Sequence, residues 1–336
     1  MALPQRKQNF IEGAAVLTLA VAVTKVIGAV YKIPLGNLLD KDGMAHFYVA
    51  YNIYSLLLIV STAGLPLAMS RLVSQAEAVG RVNQRRRIFR VTAGLFLLLG
   101  LACCGVMLFF AEPLAQLLND SQAAPAIRVL APAVFCVCML SAIRGYTQGR
   151  GDMRPTAVSQ IIESACKLVV GLTAAWLLVR QGAAPNECAA GAISGVTVGA
   201  AVGLLVLTVW LLRARRGERG TDTPESRRDI LRRVLRIGIP VTLGSVGMSL
   251  ITLLDQALVL GTLQSSLGLS ESAAASLYGE YTFGMTLFAL PASFMYPLSI
   301  SLVPSISAAM VRNDPRQAGK NAAAALKLAM VAALPV

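Results

Sequence analysis

Histidine is almost absent: His46 is the only one in the chain. That removes His-ligated metal centres and His-based triads, because both need imidazole as a ligand or base. Charge is also scarce. Asp, Glu, Lys and Arg make up 14% of the residues, against about 25% in a soluble domain. No Gly-x-x-x-x-Gly-Lys-Ser/Thr loop occurs, so the chain carries no signature of ATP hydrolysis. The six cysteines, Cys103, Cys104, Cys136, Cys138, Cys166 and Cys188, lack metal-site spacing. They fall mostly within apolar runs and read as small packing residues. The outer loops, near 39–45, 112–125, 180–188 and 261–277, are short and hold no carboxylate pair with a base, which hydrolysis or sugar transfer would need. No enzyme, no metal and no cofactor is expected.

What the chain has in abundance is apolar sequence. Hydrophobic residues make up 56% of it, and the mean hydropathy is +0.65. This composition predicts an all-α polytopic membrane protein. About nine runs approach the roughly 20 residues a span requires. They lie near 12–38, 46–70, 89–111, 126–144, 156–179, 189–212, 236–260, 278–303 and 320–336. The last is still apolar at Val336, so the chain is expected to stop inside a helix.

The net charge of +13 raises nucleic acid as a partner, but its placement argues otherwise. With a cytoplasmic N-terminus, Arg6 and Lys7, the cluster Arg85-Arg86-Arg87 and the arginines of 213–236 all fall in cytoplasmic segments. The outer loops hold only Lys41 and Arg180. This is the positive-inside pattern, and it makes the bilayer the partner. A multi-pass protein of a bacterial cytoplasmic membrane is expected. The first run is too long for a signal-peptide core and contains lysines, so it reads as a retained helix.

Most loops are short. The longest polar one, Arg213–Arg236, is basic, punctuated by Gly and Pro, and follows six helices. It predicts a division into an N-lobe over 1–212 (helices one to six), a linker over 213–235, and a truncated C-lobe over 236–336 (helices seven to nine). A weak echo agrees: Tyr48-x-x-Tyr51 followed by Pro66 in helix two, and Tyr278-x-x-Tyr281 followed by Pro297 in helix eight. Parallel repeats of this kind occur in transporters.

Five basic residues lie inside spans: Lys25, Lys32, Arg128, Lys167 and Lys327. A lysine at bilayer depth costs roughly 2.5–3.5 kcal/mol and usually faces protein or a wet cavity. Lys25 is central in its helix, and Lys32 follows two turns later on the same face. Both are expected to meet an anion in a cavity, although Lys32 could equally snorkel to the surface. Asp255 in helix seven is a charge partner for Lys25 or a coupling-ion site, unless it reaches water at its helix end. Glu163 and Lys167, four residues apart with the acid first, are expected to neutralise one another. Arg128 is expected to reach water. Gly28, Pro34, Gly64, Pro66, Pro240, Pro291 and Pro297 punctuate helices one, two, seven and eight, where they mark hinges of a cavity lining or ordinary kinks.

One family carries the same motifs. Thr24-Lys-Val-Ile-Gly28, Tyr31-Lys-Ile-Pro-Leu35, Ala50-Tyr-Asn-Ile-Tyr54, Ser61-Thr-Ala-Gly-Leu-Pro66 and Arg144-Gly-Tyr-Thr-Gln-Gly149 resemble the stage V sporulation protein B-like polysaccharide exporters. That branch belongs to the multidrug/oligosaccharidyl-lipid/polysaccharide flippase superfamily, related to lipid II flippases. The resemblance implies a MATE-like transporter of two lobes. It would move an undecaprenyl-diphosphate-linked saccharide, a peptidoglycan or polysaccharide precursor, by alternating access. A proton, sodium ion or membrane potential would drive it, beside the cell-wall or polysaccharide synthesis machinery. Lys25 matches a cationic position of helix one in lipid II flippases, and Lys32 lies next to another. Where those proteins carry arginine in helix two, this chain has Leu56-Leu57-Leu58. The rivals are a cation-coupled multidrug exporter of the same superfamily, which would need cavity carboxylates, and a non-transporting cell-envelope scaffold.

Overall fold

The computed structural model describes residues 10–39, 41–117, 121–214, 220–265, 268, 302–312 and 314–333. Its elements are α1 (Phe10–Leu38), α2 (Lys41–Thr62), α3 (Gly64–Ala78), α4 (Val82–Phe109), α5 (Ala111–Leu117), α6 (Ala124–Gly149), α7 (Arg154–Arg180), α8 (Pro185–Ala214), α9 (Arg227–Ser265), α10 (Leu302–Val311) and α11 (Pro315–Ala333). No strand occurs among the described residues. Among the described residues, six segments are long and apolar enough to cross a membrane: Glu12–Leu38, His46–Ala78, Val82–Phe109, Ser121–Gly149, Arg154–Arg180 and Pro185–Ala214. The chain is an all-α polytopic membrane protein.

The second span is two helices. Pro66 has no N–H, and its ring would press on the carbonyl of Thr62, so α2 ends there. The chain bends at Ala63 and α3 begins at Gly64. A bare Cα is needed at that point because Gly64 packs against the backbone of Gly238 in α9. Its N–H donates to Thr242 Oγ1 at 3.2 Å.

α6 forms the axis of the bundle. It packs against α2, α3, α4 and α8, with Ala126, Ile127, Leu130, Val134 and Cys138 wholly buried. Small residues on its surface let neighbours approach closely. At Gly145 an added Cβ would sit 2.9 Å from Pro66 O, and at Gly149, 2.7 Å from Ser70 O. These two glycines seat α3 against the end of α6.

The expected linker over 213–235 is shorter than its composition suggests. α8 runs to Ala214 and α9 starts at Arg227, so residues 227–235 are helical. The cause is local: Ser226 caps the helix, accepting the Asp229 N–H at 3.2 Å and donating its hydroxyl to Asp229 Oδ2 at 2.6 Å. Residues 220–225 lie along the start of α4. Arg81 Nη2 donates to Thr223 O, Asn83 Nδ2 to Gly220 O and Asp222 O, and Arg87 Nη1 to Glu225 O, at 2.8–3.0 Å.

Candidate functional site

α1 runs unbroken through Gly28 and Pro34 and has three faces. Leu17, Tyr31 and Leu35 are 1% exposed, and α7 is the neighbour against which α1 packs most. A second stripe, Leu19, Val26, Val30 and Ile33, is 50–70% exposed and apolar throughout, as a lipid-facing surface should be. Lys25 and Lys32 are exposed as well. At 3.6 residues per turn they share one line, about a third of a turn away from the apolar stripe. The lysines therefore do not point where the lipid-facing side chains point.

Beside them is an aromatic cage. Phe47, Tyr51 and Tyr54 recur at i, i+4 and i+7 and so share a face of α2. Phe47 and Tyr51 stack with centroids 6.0 Å apart, Tyr51 and Tyr54 lie 5.6 Å apart, and Tyr31 of α1 joins Phe47 at 6.4 Å. Tyr31 is fixed by its hydroxyl, which donates to Ala192 O of α8 at 3.1 Å. Lys167 Nζ of α7 enters this cage, 4.9 Å from the Tyr31 ring centroid and 4.8 Å from that of Tyr51. A desolvated cation–π contact contributes about 2 kcal/mol, which offsets much of the roughly 2.5–3.5 kcal/mol cost of an ammonium at that depth.

The expected Glu163–Lys167 pair does not form. Glu163 Oε1 accepts instead from Arg144 Nη2 of α6 at 2.5 Å. The guanidinium also donates to Ser159 Oγ at 2.9 Å from Nε and 2.8 Å from Nη2. A planar fork that meets a carboxylate and a hydroxyl together outcompetes a single ammonium on the same helix. Lys167 is left to the rings. Arg144 ends the apolar run expected near 126–144, yet α6 continues to Gly149 and the side chain is only 14% exposed. Arg128, as expected, is exposed, and it pairs with Glu112 at 2.7 Å.

Another feature escaped the sequence reading. Gly191, Gly195, Gly199 and Gly203 recur every four residues along α8, the spacing of a close helix–helix contact. A Cβ at Gly195 would lie 2.5 Å from Gly171 N and 2.7 Å from Lys167 O; at Gly199, 2.6 Å from Glu163 O. Gly203 leaves room for the Glu163 carboxylate itself, 3.2 Å from where a Cβ would stand. The stripe thus places α7 so that Glu163 and Lys167 reach their partners.

Of the other expected site residues, Gly64 and Pro66 coincide with a helix break. Gly28, Pro34 and Pro240 lie within helices that run on through them, α1 and α9. Asp255 is on α9, in a stretch whose side chains are outside the described residues, and Pro291 and Pro297 are outside them altogether. Among the described residues no group of three His, Cys, Asp or Glu could hold a metal ion. A cleft of about 360 Å³ lies where α3 and the α6–α7 turn meet α10 and α11, lined by Glu77, Arg150, Arg312 and Asp314 among others.

The chain is similar to known proteins over most of its length. It is 29% identical over 323 residues to an uncharacterized membrane protein of Bacillus subtilis, covering 95% of this chain and 60% of the relative. It is 27% identical over 309 residues to the stage V sporulation protein B of the same organism, covering 90% of this chain and 59% of that one. With the Bacillus subtilis lipid II flippase it shares 29% identity over 212 residues, 60% of this chain and 39% of the relative. The chain thus spans about three-fifths of the length of the first two relatives. The crystal structure of MATE in complex with MaD5 has the same fold, with a TM-score of 0.80 at 17% identity over 97% of this chain and 71% of that one. The family model for polysaccharide biosynthesis proteins matches residues 10–310, and the chain belongs to that family.

Proposed function

We propose that the chain is the translocating part of a flippase for an undecaprenyl-diphosphate-linked saccharide in a bacterial cytoplasmic membrane, working by alternating access. The observation that carries this reading is the cationic line of α1, Lys25 and Lys32 turned away from the apolar stripe. Ammonium groups in a low-dielectric cavity attract a dianion far more strongly than they would in water. A diphosphate is the charged part of such a lipid, and its apolar tail can stay in the bilayer. Membership in a polysaccharide biosynthesis family and similarity to a lipid II flippase support the reading. On this reading the N-terminus and the basic loops face the cytoplasm. Asp255 balances Lys25 when the cavity is empty, or takes up a coupling proton or sodium ion, and the synthesis machinery delivers the substrate.

The likeness to MATE favours a second reading, a cation-coupled multidrug exporter. The sign of α1 argues against it, since its only acid, Glu12, lies in the first turn. A cavity for cationic drugs needs carboxylates at depth. Proteoliposomes carrying a labelled lipid-diphosphate saccharide decide between them. Translocation should fall about tenfold or more in Lys25→Ala, the scale of one lost charge contact in a dry site. An undiminished rate in that variant would overturn the role of Lys25, and uptake of a cationic dye in its place would favour the exporter.

A further inference from the structure

The helices that follow the strap at 220–225 are held to the first six spans in two different ways. Ile230 and Val234, in the first turns of α9, belong to the same buried apolar core as those spans. Gly238 of α9 meets Gly64 of α3 backbone to backbone. Among the described residues, no side chain of α10 or α11 enters that core. Ala309, Ala318 and Ala325 are buried, but outside it. α10 and α11 form a unit of their own, in which Asn321 Nδ2 donates to Ser305 Oγ at 2.6 Å and the Asp314 N–H to Ala309 O at 3.1 Å. Two hydrogen bonds of opposite direction join this unit to α3. Ser74 Oγ donates to Pro304 O at 2.5 Å, and Arg312 Nε donates to Ala78 O, in the last turn of α3, at 3.3 Å. Beside these bonds the two surfaces do not close. The cleft of about 360 Å³ lies between them, with Glu77, Arg150, Asp314, Gln317 and Asn321 in its walls.

We propose that α10 and α11 form a hinged limb, latched to α3 by Ser74 and Arg312, and that the first turns of α9 stay with the first six spans when the limb swings. An apolar contact is costly to part in proportion to its buried area. A hydrogen bond at a polar, open cleft is exchanged for one to water with little loss. Each latch bond also ends on a backbone carbonyl, so parting leaves no charge stranded beside an unpaired partner. The boundary between moving parts then lies beyond α9, rather than at the polar segment that the sequence marks at 213–235. The latch stands beside the α3–α4 and α6–α7 turns, where Arg81 and Arg150 lie, which is the cytoplasmic end in the proposed flippase. The inference rests on the alternating access of that reading and supplies the part that shuts its cytoplasmic mouth.

Spin-label distances in the full chain, in phosphatidylcholine nanodiscs and without any substrate, test the limb. The labels go on exposed positions outside the latch, in a background with the six native cysteines replaced. Arg90→Cys on α4 is paired either with Met310→Cys on α10 or with Arg232→Cys on α9. The 90–310 pair should show a short and a long distance, and the 90–232 pair a single one. Ser74→Ala and Arg312→Met should each shift the 90–310 populations roughly fivefold toward the long distance, the effect of one lost hydrogen bond, and leave the 90–232 distance in place. A single 90–310 distance that neither variant moves overturns the limb. So does a 90–232 distance that splits together with 90–310, because α9 would then travel with α10. Should a latch variant fail to fold, the two label pairs in the parent decide alone: two distances at 90–310 beside one at 90–232 uphold the limb, and any other pattern overturns it. Because no substrate is present, a limb that swings in a chain that translocates nothing refutes the flippase reading and leaves the limb standing.

Discussion

Asp222 caps α4 from a distance of 139 residues along the chain, its Oδ1 accepting the N–H of Asn83 and its Oδ2 that of Gln84, both at 2.8 Å. The first turn of a helix has free N–H groups and a partial positive charge, which a carboxylate satisfies together. Here the capping residue is borrowed from the segment between α8 and α9. Gln84 returns a bond, its Oε1 accepting the Glu225 N–H at 2.7 Å. The segment is therefore a strap tying the sixth span to the third.

Burial pushes the Asp222 carboxyl up, but the N–H bonds and the Arg81 guanidinium outweigh it and hold the group below the ordinary carboxylate value. A depressed value means that the contribution is present above the unfolded carboxylate range, near pH 4, and lost as pH falls through the folded value. Asp222→Ala should lower stability by about 1 kcal/mol, as loss of an N-cap does. In thermal unfolding the gap between variant and parent should be constant from about pH 5 to 7 and close below about pH 4. A gap that widens in acid would show that Asp222 is not the cap.

The Arg144–Glu163 pair gives a second prediction. Both side chains are mostly buried, at 14% and 23% exposure. Removing one partner strands the other's charge in the bundle, at a cost of about 3–5 kcal/mol. Arg144→Met and Glu163→Gln should each destabilise strongly, and the double variant by less than the two combined. Denaturant unfolding of the four proteins measures this coupling. Strict additivity would mean that the contact contributes nothing.

The limits of the sequence are instructive at these residues. The apolar runs were legible because a bilayer demands about 20 apolar residues per span. The break near Pro66 was legible because proline carries its own rule. The partner of Glu163 was not. Spacing of i, i+4 lists the neighbours available on one helix, whereas the winner, Arg144, comes from another helix, at the end of the apolar run near 126–144. The Lys167 cage joins residues of α1, α2 and α7, and no periodicity within one helix reports that. The four-residue glycine period of α8 was visible all along, and it was the available signal that α7 packs unusually close.

That period can be tested directly. Gly195→Val puts a branched side chain against Gly171 N and Lys167 O, at 2.5 and 2.7 Å from its Cβ, backbone atoms that cannot swing aside. It should cost at least the roughly 1–3 kcal/mol of an overpacked core. Gly94 in α4 is the control, with nothing within 4 Å of an added Cβ. Gly94→Ala should be neutral or stabilise by up to about 1 kcal/mol through helix propensity. Thermal unfolding that ranks the two the other way would refute the packing role of the α8 stripe.

The faces of α1 make the sharpest prediction, because they separate adjacent residues. Val26 is 64% exposed on the apolar stripe, while Lys25, one residue earlier, lies on the line shared with Lys32. Successive helical residues are about 100° apart, so one can face lipid while the other faces water. A thiol reacts as its thiolate, which does not persist in hydrocarbon. In a background with the six native cysteines replaced, Lys25→Cys should therefore react with a membrane-impermeant, water-soluble thiol reagent in intact cells or in proteoliposomes. Val26→Cys should resist the same reagent and react with a lipid-soluble one. If the translocation reading is right, a lipid diphosphate should protect Cys at 25 and leave Cys at 26 unaffected. Equal labelling of both positions would mean that α1 has no water-facing line, and the argument for an anion beside Lys25 would fail with it.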